Sequence, residues 1–287
     1  MGSFSIILEE LMTSYDFTYL SLGAGVQSSA MLLMSSKGLF NVPKADIAIF
    51  SDTQSEPPWV YEHLEKLHEL SNIPIVTVTA GDLSHDTLVG KGQGHEGFIT
   101  IPVYSANLEG DVLPFRRQCT FEYKIAPIQK EIRRQLGYKP RMRVKEKVQA
   151  LLGISLDESI RMKPSRYPYI TNEFPLINAR FTRQDCLNIL QRYGWPVPKK
   201  SACIFCPFHR DSNWKDYKEN HPDLWEKIID FDEKIRRLGK MTVKDPSRLA
   251  YLHKSLQPIK DVDFTHGGQM EFEIDGFNNE CEGMCGV

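Results

Sequence analysis

Between Tyr19 and Met34 the chain reads YLSLGAGVQSSAMLLM, a short apolar run, then two glycines and a pair of serines, then a helical pattern. This handover from strand to helix limits the fold more than any other stretch, because strands that alternate with helices pair in parallel through crossover connections. Thr18 to Leu22 is predicted as the first strand and Gln27 to Ser36 as the helix after it. Asp46 to Phe50 (DIAIF) and Ile73 to Val78 (IPIVTV) are predicted strands on either side of a helix from about Pro57 to Ser71. Phe121 to Leu136 reads as a charged amphipathic helix, Val148 to Ile154 (VQALLGI) as another buried strand, and Thr182 as the cap of a helix ending near Tyr193. Between these, Ala80 to Phe115 is expected to be irregular, a lid or a disordered segment, since it carries Gly81, Gly90, Gly92, Gly94, Gly97 and Gly110. The fold class is therefore α/β, a mostly parallel twisted sheet with helices on both faces, with a change of character beyond Pro196.

The 287 residues carry 35 basic and 37 acidic side chains, so no global field recruits a polyanion and any such partner needs a local patch. Glu9 and Glu10 interrupt the apolar run at the start, and no apolar stretch approaches the ~20 residues that span a bilayer, so a cytoplasmic protein without a membrane partner is expected. Six cysteines are too few for a disulfide scaffold at this length. Their grouping points to metal or redox chemistry: Cys203 and Cys206 form a C-x-x-C, Cys281 and Cys285 a pair near the end, and Cys119 and Cys186 stand apart.

Glycine lets a backbone approach a ligand, and the free N–H groups of a helix N-terminus attract negative charge. Gly23 and Gly25 precede Gln27, Ser28 and Ser29, an arrangement that suits phosphate or sulfate; a tight connection with no ligand is the alternative. The lysine of a G-x-x-x-x-G-K-S/T loop and the spacing of a dinucleotide fingerprint are both missing.

Four blocks occur in order: S-L-G-A-G-V-Q-S-S; F-S-D-T with Glu56; Cys119-T-F-E-Y-Lys124-I-A-P-I; and Gly153-I-S-L-D-Glu158-Ser159-I-Arg161. Together they resemble the phosphoadenosine phosphosulfate (PAPS) reductase family of the adenine nucleotide alpha-hydrolase, or PP-loop ATP pyrophosphatase, group, over roughly Leu20 to Pro207. The first block has two more residues than the usual loop and lacks its acidic residue, and Thr120 stands where cluster-bearing reductases have a second adjacent cysteine. The resemblance implies a PP-loop nucleotide-binding domain over residues 1–195 and a cysteine-bearing segment over 196–287 that packs on the nucleotide site. It implies ATP or an adenylyl sulfate-type nucleotide as substrate, cradled by Ser21, Gly23, Gly25, Gln27, Ser28 and Ser29, with Asp52, Thr53, Gly153, Glu158 and Ser159 beside it. Asp52 could orient a ribose or a magnesium ion, or merely cap the following turn. Arg117, Lys124 and Arg161 would balance charge on the leaving group.

A C-x-x-C is half a metal site. The resemblance nominates Cys119 to join Cys203 and Cys206 around a 4Fe-4S cluster whose fourth corner is left to Cys281, substrate or sulfide. Zinc held by Cys119, Cys203, Cys206 and His209 is the rival. The resemblance also makes Cys281 a candidate attacking thiol. The implied function is nucleotide-dependent sulfur handling, as sulfurtransferase or reductase, with a sulfur donor or reductant protein as partner. The alternative is a zinc-stabilised binding protein without sulfur chemistry. Gly137 to Lys147 (GYKPRMRVKEK) could track tRNA or DNA in a thiolation enzyme, though a solvated charged loop is the commoner explanation.

Overall fold

The computed structural model describes residues 14–89, 100–106, 111–237 and 249–264. Its centre is a five-stranded, all-parallel sheet of order β3-β2-β1-β6-β7, built from β1 (Phe17–Ser21), β2 (Ile47–Asp52), β3 (Ile75–Thr79), β6 (Val148–Leu152) and β7 (Ile170–Glu173). The chain runs outward from β1 to β3, then returns to the other side of β1 with β6. The carboxyl ends of β1 and β6 thus flank the switch point at which such sheets bind ligands.

Alternate side chains of the strands feed two cores. Leu20, Ala48, Phe50 and Leu151 pack under α1 (Val26–Lys37), α2 (Pro58–Leu70) and α6 (Arg183–Arg192). Tyr19, Ile47, Ile49, Val148 and Ala150 pack under Ile128 and Ile132 of α4 (Ala126–Gln135). Helices therefore cover both faces, as the near-continuous apolar strands require. Ten of the twelve residues of α1 are buried, so Ser28, Ser29 and Ser35 sit inside the protein rather than on a wet face.

The stretch expected to be irregular contains α3 (Leu83–Val89) and a hairpin of β4 (Tyr104–Ala106) and β5 (Val112–Pro114); the rest of its glycine-rich part lies outside the described residues. These pieces are too short to leave a period in the sequence, and they are stabilised by tertiary contacts. The predicted helix from Phe121 begins as a π-helical turn, Thr120–Ile125, before α4 takes over.

A third core gathers around the cysteine knuckle. Cys203, Ile204 and Phe205 pack with Trp214 and Tyr217 of α7 (Asp211–Asn220), with Ile228 and Phe231 of α8 (Pro222–Arg237), and with Leu83, Ile101 and Tyr123 from the first half of the chain. α5 (Pro175–Asn178) is a single turn before α6. Among the described residues no helix is long and apolar enough to cross a membrane.

Candidate functional site

Leu22 to Gly25 turn the chain from β1 into α1. Ala24 takes a left-handed conformation (φ 53), and Gly25 is the extended N-cap residue (φ −95, ψ 179). Ser28 Oγ turns back on this cap: the Gly25 N–H donates to it and it donates to the Gly25 carbonyl, both at 3.2 Å. Ser29 Oγ lies 2.8 Å from Nε2 of His63, a buried α2 histidine that the sequence reading did not single out. Burial, with Lys66 nearby, holds that imidazole down to about 4. Gln27 Oε1 accepts from Arg183 Nη1 at 3.1 Å. Arg183 also went unremarked in the sequence, since a basic residue after a helix cap has no signature of its own.

The neighbouring β2 turn is tied internally. Asp52 Oδ1 accepts from the Gln54 N–H and from the Tyr61 hydroxyl, both at 2.8 Å, so one carboxylate oxygen serves the turn. Thr53 is fully buried and donates to Glu56 at 3.2 Å. Lys124 Nζ lies 3.7 Å from Glu56, with side-chain exposures of 9 % and 3 %. A cavity between the β1 and β2 turns is lined by Ser21, Gly23, Ser51, Glu56 and Lys124.

On the other side of Lys124 lies a second cavity, bordered by Arg117, Cys119, Thr120, Lys124, Cys203 and Cys206. Three thiols 84 or more positions apart in part, from Cys119 to the knuckle, thus share one cavity, and Lys124 lines it as well as the first. The π-helical turn has a direct consequence here. It starts one residue after Cys119 and ends one residue after Lys124, so both side chains reach the thiol cavity from one backbone irregularity, a feature that often marks functional sites. Cys203 is buried while Cys119 and Cys206 are half-buried, and burial, followed by the nearby Glu56 and Cys206, pushes the Cys203 thiol well up. Arg117 stacks its guanidinium over Phe208 at 5.7 Å.

The knuckle is fastened to the sheet end by three bonds: Ser201 Oγ to the Gly23 carbonyl (2.6 Å), the Ile204 N–H to the Ser55 carbonyl (2.9 Å) and Trp59 Nε1 to the Lys200 carbonyl (3.0 Å). These hold the cysteine segment against both the β1 and the β2 turns.

Among the described residues no three His, Cys, Asp or Glu side chains converge as ligands of a metal ion. His209 Nε2 faces the Cys203 carbonyl at 3.0 Å, and the ring meets Trp214 edge-on at 4.8 Å. Cys281 and Cys285 lie outside the described residues. Cys186 is a fully buried core residue of α6.

Across the switch point, Gly153 follows β6 in a buried turn, Glu158 is buried and pairs with Arg161 at 3.0 Å, and Ser159 lies in the same 3-10 turn, Leu156–Arg161. The basic stretch sits elsewhere. Residues 137–147 lead into the amino end of β6, and Lys139, Arg141, Arg143, Lys145 and Lys147 are exposed there and line neither of the two cavities.

No family model matches the chain, and no curated protein matches it. Among solved structures, it is similar to a phosphoadenylyl-sulfate (PAPS) reductase from Candida auris in a phosphate complex, at 15% identity over 67% of this chain and 80% of that one, with a TM-score of 0.37. It is also similar to the U34-tRNA thiolase NcsA from Methanococcus maripaludis with its 4Fe-4S cluster, at 11% identity over 80% of this chain and 74% of that one, with a TM-score of 0.36. In four ordered sequence blocks and in a parallel α/β sheet, the chain resembles the PAPS reductase-like family of the adenine nucleotide alpha-hydrolase group.

Proposed function

We propose that this protein is an adenine-nucleotide-dependent sulfur-handling enzyme, with the nucleotide's charged end over the Gly23 turn and sulfur chemistry in the adjoining cavity. The observation that carries this reading is the shared wall: Lys124 lines the cavity beside the Gly23 turn and also the one bordered by Cys119, Cys203 and Cys206. A cation between a phosphate cradle and a set of thiols would neutralise charge that develops as the nucleotide's leaving group departs. Arg117, on the thiol side, and Arg161, beyond the switch point, would supply further positive charge.

In the ATP version, an acceptor oxygen attacks the α-phosphorus, the bond to the bridging oxygen breaks, and pyrophosphate leaves with that electron pair. A sulfur nucleophile then displaces AMP from the adenylylated acceptor. In the sulfated-nucleotide version, a cysteine thiolate, for which Cys281 is the candidate, attacks the sulfur to form a cysteine S-sulfonate as the bond from sulfur to the phosphate oxygen breaks, and the nucleotide leaves with that electron pair. Gly23, Gly25, Ser28 and Ser29 would cradle the anion in either case, with Ser21 and Thr53 shaping the wall and Asp52 offering its second carboxylate oxygen to a ribose.

The donor set fits an iron-sulfur cluster in kind. Three soft thiols border one cavity that no carboxylate lines, the donor type that iron-sulfur clusters take. Cys119, Cys203 and Cys206 would hold the cluster, and when bound it supplies an open corner that accepts sulfur or passes electrons. Pyrophosphate release from ATP in the presence of candidate acceptors, tRNA and DNA among them, tests the reading. Release that depends on an acceptor supports the ATP version, whereas turnover of adenylyl sulfate or PAPS without pyrophosphate release supports the other; neither with any substrate removes the enzymatic reading.

A further inference from the structure

The β1–β6 side of the Gly23 turn holds two buried donors with nothing to bond. Gln27 is 1% exposed and Ser155 is fully buried, yet Gln27 Nε2 and Ser155 Oγ have no hydrogen-bond partner among the described residues. Buried polar atoms are nearly always satisfied, and one that is not calls for a ligand or water. Arg183 ties the two positions together. Its guanidinium donates to Gln27 Oε1, and its backbone N–H donates to Asp157 Oδ1 (3.1 Å), two residues beyond Ser155.

The chemistry of that contact fixes a direction. A guanidinium has five donors and no acceptor, so only the oxygen of the Gln27 amide can face it, and the amide NH2 must face away. Arg183 itself is set by α6, whose N-cap Thr182 is locked by a reciprocal pair of bonds with Asp185. Gln27 lies in the first turn of α1, where the helix dipole and the open backbone N–H groups already favour an anion. A donor held in one orientation, at a positive helix end, at the switch point of the sheet, requires an acceptor.

We infer that Gln27 Nε2 and Ser155 Oγ bind the anionic oxygens of a phosphate-bearing ligand on the β1–β6 side of the turn, and that Arg183 is the positioning residue that aims the Gln27 amide at it. The inference deepens the nucleotide reading and rests on it for the identity of the ligand, with adenosine triphosphate as the probe and pyrophosphate as its anionic part. Ser155 stands inside the fourth sequence block without being one of the residues it nominates, and Arg183 lies beyond that block.

Titrating wild type and variants with ATP, pyrophosphate and adenosine by calorimetry, with circular dichroism as the folding control, tests it. Gln27→Glu, which replaces the donor by a carboxylate, is expected to weaken ATP and pyrophosphate tenfold or more and to leave adenosine unchanged. Ser155→Ala is expected to weaken ATP several-fold without lowering the melting temperature, since it removes a hydroxyl that bonds nothing among the described residues. A hydroxyl with a structural role would lower it. Arg183→Gln is expected to weaken ATP several-fold, and Arg183→Lys, which keeps a donor toward the Gln27 oxygen, to recover part of the loss. If wild type binds ATP and all variants bind it within twofold, the inference falls and the nucleotide reading stands. If pyrophosphate binds and is lost in Gln27→Glu while ATP does not bind, the anion site stands and the nucleotide reading falls. If wild type binds neither anion, both fall.

Discussion

Ser201 Oγ donates a 2.6 Å hydrogen bond to the carbonyl oxygen of Gly23, joining positions 178 residues apart and fastening the cysteine segment to the turn after β1. Both groups are buried, so neither has water as a substitute partner. Ser201→Ala is therefore expected to destabilise the fold by about 1–3 kcal/mol, the cost of an unsatisfied buried acceptor. Urea denaturation should show an earlier midpoint with an unchanged slope. A midpoint equal to wild type would mean that the knuckle is held by its other contacts alone.

Lys124 and Glu56 form a buried pair, and removing the lysine leaves the Glu56 carboxylate buried without this cation beside it. Lys124→Met is expected to cost about 3–5 kcal/mol, with part of the loss recovered in the Lys124→Met, Glu56→Gln double variant. Because Lys124 lines both cavities, the double variant should fold yet lose turnover. A double variant that folds and turns over normally would take Lys124 out of the proposed chemistry.

His63, buried against Ser29, is held down to about 4, while the unfolded chain titrates near 6.5. Between those values the unfolded state binds the extra proton, so stability rises with pH across the window. This histidine's contribution is complete above about pH 6.5 and is lost as the pH falls toward 4, with a total on the order of 3 kcal/mol. Denaturation midpoints measured from pH 4 to 7 should show this slope in wild type and a flatter one in His63→Gln; equal slopes would mean that other groups carry the acid sensitivity.

The two cysteines that stand alone in the sequence differ in chemistry. Burial pushes the Cys186 thiol up to about 12, and its core position shields it, so it should resist iodoacetamide in the native protein. Half-buried Cys119 borders an open cavity and should react in metal-free protein. Mass spectrometry of the labelled peptides checks the order; labelling of Cys186 first would contradict it.

Much of this architecture is legible in the sequence, for physical reasons that are plain residue by residue. β2 and β6 are buried almost throughout and β1 over its last three residues, so they write largely apolar runs; the edge strand β3, only partly covered, is still legible from its β-branched IVTVT, whereas the other edge strand, β7, is ITNE, polar and four residues long, and leaves no such trace. The turn at Gly23 and the thiols are visible as motifs. The fastening of Ser201 to Gly23, the aim of Arg183 at Gln27 and the burial of His63 behind Ser29 are not, because each joins residues 34 or more apart through one hydrogen bond. The π-helical turn that sets Cys119 and Lys124 on one cavity is likewise tertiary in origin, since nothing local in TFEYKI distinguishes it from an α-helix.

Iron and acid-labile sulfide, determined with the absorption spectrum on protein purified without oxygen, probe the sulfur site itself. Brown protein with about four irons and four sulfides per chain, lost in Cys119→Ser and in Cys203→Ser but kept in Cys186→Ala, is the expected result. Colourless protein holding stoichiometric zinc, or a cluster indifferent to Cys119, would contradict it.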